Sequence, residues 1–197
     1  FSNKVLVVTG GSSGIGLAIA RAAIDEGAKR IYITGRSRRT LDEAVDQLGE
    51  RAVAVLSDVA SGADLAALER QIEEQGDCVD ALFANAGIAG NNRLGNTREA
   101  HYQEMFDINV KGVFFTVQTL LPRLADGAAI VLTSSIVSGK GMENLSLYSA
   151  SKAAVRSFAR SWANDLKGRH IRVNALSPGF TKTPIMKNGL QWDDAQI

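Results

Sequence analysis

The sequence predicts an α/β protein with three layers, in which a doubly wound parallel sheet of six visible strands lies between helices. Six short runs of β-branched and aliphatic residues are nearly continuous in apolar side chains, which is typical of strands covered on both faces. Longer stretches with helical periodicity separate these runs. Regular alternation of strand and helix indicates repeated right-handed βαβ units.

The predicted elements alternate along most of the chain. The predicted strands are "KVLVVT" (4–9), "RIYIT" (30–34), "AVAVL" (52–56), "DALFA" (80–84), "AAIVLT" (128–133) and "IRVNAL" (171–176). The predicted helices span 14–26, 40–48, 63–75, 98–121 and 150–167. Thr40 and Glu43 have the spacing of a capping box, so we expect Thr40 to be the N-cap of the second helix.

Composition and charge are those of one ordinary globular domain, which we expect to comprise residues 1–197. The chain carries 22 basic and 21 acidic residues and a formal net charge of +1, which favours neither nucleic acid nor an anionic membrane as a partner. No apolar run approaches the ~20 residues of a membrane span. Cys78 is the only cysteine, which excludes an intrachain disulfide and fits a cytoplasmic enzyme. No metal site is predicted.

A glycine-rich loop, "VTGGSSGIG" (8–16), joins the first strand to the first helix. Gly10, Gly14 and Gly16 permit positive φ angles and a close approach of the backbone to a pyrophosphate. The helix that follows supplies amide donors and the positive end of its dipole. An ordinary strand–helix turn can have the same composition, but the position after the first strand favours a dinucleotide site.

The segment "ITGRSRR" (33–39) ends the second strand and bears on the choice of dinucleotide. Proteins that prefer NAD usually place an acidic residue there to bind the ribose hydroxyls. This chain has Arg36, whose guanidinium can bind a 2′-phosphate with paired donors, so NADP(H) is preferred over NAD(H), which stays possible. Arg38 and Arg39 fit a second phosphate contact and a solvated basic turn equally well.

Seven segments, in order and over nearly the whole chain, resemble the short-chain dehydrogenase/reductase family of the single-domain type. They are "TGGSSGIG" (9–16), "DV" (58–59), "NAG" (85–87), "NVKG" (109–112), "TSS" (133–135), "YSASK" (148–152) and "SPGFTKT" (177–183). The resemblance implies a Rossmann-type fold and an NADP(H)-dependent oxidoreductase that transfers hydride between nicotinamide and a carbonyl or secondary alcohol.

Four residues are the candidate catalytic group. Tyr148 and Lys152 lie one helical turn apart, so a nearby ammonium is expected to lower the pKa of the phenol and allow it to exchange a proton with the substrate oxygen. Ser135, thirteen residues before the tyrosine, matches the family's serine that hydrogen-bonds the substrate oxygen. Asn109 falls within a predicted helix, although asparagine has a low helix propensity because its side chain competes for backbone hydrogen bonds. The resemblance implies that it holds a relay water, whereas a helix–helix hydrogen bond is the simpler alternative.

The resemblance implies cofactor contacts along most of the chain. Asp58 would meet the adenine amino group, with Val59 on the ring; Asn85 would connect strands; residues 178–183 would hold the carboxamide. The complete candidate set is Thr9, Gly10, Ser12, Ser13, Gly14, Ile15, Gly16, Arg36, Asp58, Val59, Asn85, Ala86, Gly87, Tyr148, Lys152, Pro178, Gly179, Thr181 and Thr183.

The final stretch, 177–197, has several prolines and glycines without a clear period and is expected to be a loop or substrate flap. The family resemblance implies a further crossover helix and a seventh strand, roughly 50 more residues, that this sequence lacks. We expect a small-molecule carbonyl or alcohol, largely apolar, as substrate and a homo-oligomer, tetramer or dimer. Two alternatives stay open: a cofactor-binding regulator or structural subunit without turnover, and a dinucleotide-using epimerase or dehydratase.

Overall fold

The structure, a computed structural model, describes residues 1–190 and contains one six-stranded parallel sheet. Its strands are β1 (Val5–Val8), β2 (Arg30–Gly35), β3 (Ala52–Leu56), β4 (Val79–Ala84), β5 (Leu124–Thr133) and β6 (Arg172–Leu176). The strand order is β3-β2-β1-β4-β5-β6, and every neighbouring pair is parallel. The predicted doubly wound sheet is confirmed, and its order reverses between β1 and β4.

Seven α-helices occur within the described residues. They are α1 (Gly14–Asp25), α2 (Arg38–Leu48), α3 (Gly62–Glu74), α4 (Glu99–Phe106), α5 (Gly112–Leu120), α6 (Ser146–Asp165) and α7 (Pro184–Asn188). Alternate side chains of β1 point to opposite faces of the sheet and enter two separate cores. Leu6 and Val8 pack with α1 and α2, whereas Val5 and Val7 pack with α3, α5 and α6. The three predicted layers follow from this division.

Three helix boundaries differ from the sequence predictions. Ser37, not Thr40, is the N-cap of α2, because the Ser37 hydroxyl accepts the Thr40 amide at 3.4 Å. The helix predicted over 98–121 is interrupted by a π-helical turn, Asp107–Lys111, between α4 and α5. Helix α6 begins at Ser146 rather than 150, so Tyr148 lies in its first turn. Of the predicted flap, residues 184–188 form α7, and residues 191–197 lie outside the described part.

A buried carboxylate connects the amino-terminal ends of β2 and β4. The Asp77 side chain is 1% exposed and accepts hydrogen bonds from the Tyr32 hydroxyl at 2.9 Å, from Lys29 at 3.2 Å and from Arg30. Burial by itself would raise the pKa of Asp77, but the hydrogen bonds and the charge of Arg30 outweigh it and lower the pKa. Burial and the bond to Asp77 raise the pKa of Tyr32 to about 12.

Within residues 1–190, none of the helices combines the length and apolar character that crossing a membrane requires.

Replacing Asp77 should expose the contribution of this network. We expect Asp77→Ala to lower the free energy of unfolding by about 1–3 kcal/mol, because the buried Tyr32 hydroxyl loses its acceptor. The folded pKa lies below the ordinary value near 4, so the stabilisation by the carboxylate is present above about pH 4 and is lost as the pH falls through the folded pKa. Asp77→Asn should lack this acid-dependent component. Denaturant titrations at several pH values measure it, with the exposed Asp126→Asn as control; equal acid dependence in all variants would contradict the assignment.

Candidate active site

A cavity of about 630 Å³ lies at the carboxyl ends of the strands, beside the point where the strand order reverses. It is lined by residues that follow β1, β2, β4, β5 and β6 and by residues of α6. The candidate residues that line it are Gly10, Ser13, Gly14, Ile15, Arg36, Asn85, Ala86, Gly87, Ser135, Tyr148, Lys152, Pro178, Gly179, Thr181 and Thr183. Thr9, Ser12, Gly16, Asp58, Val59 and Asn109 are not among the lining residues.

The glycine loop has the close packing that a pyrophosphate cradle requires. Gly10 and Gly14 have φ angles of +65° and +52°. A Cβ atom at Gly16 would lie 2.2 Å from the Gly10 carbonyl oxygen and 2.7 Å from the Asn85 side-chain nitrogen. No side chain caps α1 at Ser13, so the first turn presents its amides at the cavity. The loop therefore fits an anionic dinucleotide backbone.

Asn85 connects the three central strands where they meet the cavity. Its Nδ2 donates to the Thr9 carbonyl at 3.1 Å, and its Oδ1 accepts from the Thr133 hydroxyl at 3.2 Å. The Thr9 hydroxyl in turn accepts the backbone amides of Asn85 and Ala86, each at 3.0 Å. These bonds explain why Thr9 and Asn85 belong to the site although Thr9 does not line the cavity.

Lys152 is buried although it carries an ammonium group. The residue is 3% exposed, and its Nζ donates to the Thr133 carbonyl oxygen at 2.8 Å. Burial lowers the pKa of Lys152 to about 8, because the charged form is poorly solvated there. The Ser134 hydroxyl donates to the Lys152 carbonyl at 2.8 Å and fixes this part of α6 on the end of β5. No carboxylate among residues 1–190 pairs with this buried lysine, which is unusual and indicates a functional position.

Tyr148 faces the same cavity, but its acidity differs from the sequence prediction. Burial raises the pKa of the Tyr148 hydroxyl, and a hydrogen bond with Ser135 opposes that rise. Burial, the largest cause, therefore raises the pKa where the sequence predicted a lowering. Lys152 Nζ donates to the Thr133 carbonyl and lies 5.8 Å from the centroid of the tyrosine ring. Ser135 also accepts the Val137 amide at 3.3 Å, which orients the serine side chain at the end of β5.

Asn109 lies in the π-helical turn and is fully buried. Its amide pairs with the backbone of Ile88: Oδ1 accepts the Ile88 amide and Nδ2 donates to the Ile88 carbonyl, both at 2.8 Å. Nδ2 also lies 3.1 Å from the Ser151 hydroxyl of α6, which is the helix–helix contact that the sequence left as an alternative. A Cβ atom at Gly87 would lie 3.0 Å from Asn109 Oδ1 and 3.1 Å from Lys152 Nζ, so Gly87 makes room for both.

The arginines after β2 separate into different roles. Arg36 is exposed, lines the cavity and has no hydrogen bond or ion pair with another described residue. Arg39 instead pairs with Glu43 at 2.6 Å, one turn along α2, on the solvent side. The solvated-turn alternative therefore describes Arg39, whereas Arg36 is available to a ligand.

The remaining candidates lie at the two ends of the site. Thr183 approaches the glycine loop, since a Cβ atom at Gly14 would be 3.3 Å from Thr183 Cβ. The Pro178 carbonyl accepts the Ile136 amide at 3.1 Å and attaches this segment to the end of β5. At the other end, Asp58 accepts the Ala60 amide at 2.9 Å, and Val59 packs with Leu65 and Ile108.

Sequence analysis missed two polar residues on the cavity wall. His101 is half-buried and lines the cavity together with Glu104. The imidazole packs over Gly90, where a Cβ atom would lie 3.0 Å from Nε2. The helical spacing of 101, 105 and 109 puts His101 on the face that carries Met105 and Asn109, which was the available signal.

Among residues 1–190, no group of three or more histidine, cysteine, aspartate or glutamate side chains is arranged to hold a metal ion.

The strand order and the glycine loop define a doubly wound α/β protein of the Rossmann type. The family model for short chain dehydrogenase matches residues 4–194, and the chain belongs to this family of oxidoreductases.

Several relatives are similar over nearly the whole chain. An oxidoreductase of Sarocladium schorii is 40% identical, over 96% of this chain and 76% of its own. An NADP-dependent (R)-specific alcohol dehydrogenase of Lentilactobacillus kefiri is 37% identical, over 93% and 75%. A solved structure of 3-ketoacyl-(acyl-carrier-protein) reductase from Brucella melitensis, complexed with NADH, has a TM-score of 0.89 and 29% identity, over 96% of this chain and 81% of that one.

A methyl group at Gly16 should disrupt the loop. We expect Gly16→Ala to lower the free energy of unfolding by about 1–3 kcal/mol and to weaken NADPH binding, because the new Cβ overlaps the Gly10 carbonyl. Gly62→Ala is the matched control: nothing lies within 4 Å of a Cβ there, so it should be neutral or stabilising by up to about 1 kcal/mol. Denaturant melts and NADPH fluorescence titrations test both, and unchanged binding in Gly16→Ala would refute the cradle.

Proposed function

We propose that the protein is an NADP(H)-dependent reductase of ketones, or dehydrogenase of secondary alcohols, that uses Tyr148 as its general acid and base. The observation that carries this proposal is the convergence of Tyr148, Ser135 and buried Lys152 on the cavity that the glycine loop and Arg36 also line. Residues 1–197 would act as one dinucleotide-binding domain.

The residues around the cavity suit a nicotinamide dinucleotide. The glycine loop and the first turn of α1 would hold the pyrophosphate, Asp58 and Val59 the adenine, and Pro178 to Thr183 the carboxamide. When bound, NADP(H) supplies or accepts the hydride. The protein orients the substrate oxygen and manages the proton.

Tyr148 would donate its proton to the carbonyl oxygen in reduction and take it back in oxidation. Ser135, which lines the cavity with Tyr148, would donate a hydrogen bond to the same oxygen and stabilise developing negative charge. A phenol whose pKa burial has raised stays protonated at neutral pH, which is the form that a reductase requires. Oxidation requires the phenolate, which a cationic nicotinamide ring would favour.

Lys152 would have two roles. Its depressed pKa keeps it ready to lose or regain a proton near neutral pH, so it can replace the proton that Tyr148 gives up. It would also bind the nicotinamide ribose hydroxyls, because Nζ lies beside Gly87 at the cavity wall. Asn109 would support this arrangement through its contact with α6 and through a relay water.

Arg36 supports NADP(H) over NAD(H). The guanidinium lines the cavity, and no described side chain pairs with it, so it can meet a 2′-phosphate. The Lentilactobacillus kefiri relative is named as NADP-dependent, whereas the Brucella melitensis reductase was solved with NADH, so the family accommodates both.

The wall beyond Tyr148 favours a substrate with a largely apolar body. Met142, Leu145, Ile185 and Met186 form an apolar cluster there together with Ala89. His101 and Glu104 of α4 add polar groups to the cavity wall. A small-molecule ketone with an apolar portion near its carbonyl is the class of substrate that we propose.

We also propose a homo-oligomer formed through α5 and α6. Phe158 and Trp162 of α6 stack on each other, partly buried against the core, and Phe114 of α5 meets both edge-to-face. The neighbouring Phe115 is 41% exposed. An aromatic surface of this kind is typical of interfaces.

Removing the Tyr148 hydroxyl tests the mechanism directly. We expect Tyr148→Phe to lower kcat for ketone reduction by on the order of 10²–10⁴, because the general acid is lost, while the Kd for NADPH changes little. Tyr102→Phe is the matched control, since Tyr102 is exposed on α4 and should leave kcat unchanged. A Tyr148→Phe variant with wild-type turnover would exclude this tyrosine as the acid and favour the non-catalytic alternative.

Arg36→Ala tests cofactor choice. Losing a charged hydrogen bond to the 2′-phosphate should weaken NADPH binding by roughly 10- to 100-fold and leave NADH binding unchanged. Arg39→Ala removes a similar charge from the solvent side of α2 and should affect neither dinucleotide. Nicotinamide fluorescence titrations measure the Kd of each variant for NADPH and for NADH, relative to the wild type. Equal losses of affinity for the two dinucleotides in Arg36→Ala would contradict a contact with the phosphate.

A further inference from the structure

Helix α6 carries Tyr148 and Lys152 but lacks a cap of its own. Its N-cap residue is Leu145, which has no side-chain oxygen, and no side-chain cap bond forms there. The first amides of a helix have no partner within the helix and normally bond to a serine, threonine, aspartate or asparagine at the N-cap. The turn that contains Tyr148 therefore needs an acceptor from elsewhere in the chain.

Asn92 supplies that acceptor from 55 residues earlier. Its Oδ1 accepts the backbone amide of Leu147 at 3.0 Å, the same bond that an N-cap asparagine would make. Its Nδ2 donates to the Ser146 hydroxyl at 2.8 Å, and its backbone amide donates to the Asn144 carbonyl at 2.6 Å. Asn92 is 6% exposed, whereas residues 93 to 100 that follow it are all exposed, so this side chain is turned inward from a surface loop.

The loop that carries Asn92, residues 88–92, is held by hydrogen bonds at both of its ends. At its start, Asn109 pairs with both backbone groups of Ile88, next to the NAG segment that we assign to the cofactor. At its end, Asn92 caps α6 one residue before Tyr148. The loop thus joins the cofactor side of the cavity to the first turn of α6, and sets the distance between them.

We propose that Asn92 is a positioning residue for catalysis: by capping α6 from a distant loop of the same chain, it holds the Tyr148 side chain at the cavity wall that Ser135 also lines. This proposal rests on the function assigned to Tyr148 above. Without the cap the first turn of α6 frays, and the phenol loses its orientation while the rest of the helix, and with it Lys152, stays on β5 through Ser134.

The test compares Asn92→Ala with Asn92→Asp and with Asn91→Ala. Asn92→Ala should lower kcat for ketone reduction roughly 10-fold, since a displacement near 1 Å can cost up to 10²-fold, with the Kd for NADPH unchanged. Asn92→Asp keeps the acceptor for Leu147, and the hydroxyls of Ser146 and Thr97 can donate to it, so it should recover most of kcat. Asn91→Ala removes a neighbouring asparagine that contacts Leu190 instead, and should leave kcat unchanged.

A double variant separates positioning from a general loss of fold. In a Tyr148→Phe background, Asn92→Ala should have no further effect on the residual rate, because the group that it positions is gone. A loss of the same size in both backgrounds would overturn the proposal, since unfolding lowers both rates equally. So would an Asn92→Ala variant with the kcat of Asn91→Ala, or an Asn92→Asp variant as slow as Asn92→Ala.

Hydrogen exchange provides a readout without turnover. The amides of Leu147 and Tyr148 should exchange faster in Asn92→Ala than in wild type, whereas amides in the centre of α6 should keep their protection. If the wild-type chain reduced no ketone, the proposed function would fail, yet this comparison would still decide whether Asn92 caps α6. Equal protection of Leu147 in the two proteins would overturn the proposal.

Discussion

The hydrogen bonds of Asn85 are the constraint on which the rest of the site depends. A parallel sheet leaves the carboxyl ends of its strands unpaired, and the loops that leave β1, β4 and β5 diverge there. The Asn85 side-chain amide bonds to Thr9 of the first loop and to Thr133 of β5. The Thr9 hydroxyl in turn accepts the backbone amides of Asn85 and Ala86. The glycine loop and the end of β5 therefore have fixed positions relative to each other.

The buried ammonium of Lys152 follows from that arrangement. The Thr133 residue whose hydroxyl donates to Asn85 also offers its carbonyl to Lys152 Nζ. A carbonyl compensates only part of the lost hydration, which is why burial lowers the pKa of Lys152 to about 8. Lys152, with its lowered pKa, lies near Tyr148, whose pKa is raised, and such a pair is suited to exchange protons. This pairing supports the proposed reductase more directly than any single motif does.

Two asparagines extend the same network to the substrate side. Asn109 can use both ends of its amide on Ile88 because the π-helical turn, Asp107–Lys111, interrupts the helix around it. Asn92 then carries the connection to α6 and the turn that holds Tyr148. The chain uses neutral amides at all three junctions, each of which can donate and accept at once, so these connections add no charge to the cavity.

Local signals predicted the sheet, its parallel strands and the chemistry of the glycine loop, because apolar runs, glycine spacing and the motif at 148–152 are visible along the chain. Most of the candidate site residues could also be predicted to lie together, since the carboxyl ends of parallel strands meet at one edge of the sheet. The π-helical turn at Asn109, the position of His101 on the cavity wall and the raised pKa of Tyr148 emerge only in the folded structure. Each of these depends on contacts or burial between residues far apart in the chain, and spacing along a sequence carries no information about which distant group will satisfy a buried donor or acceptor.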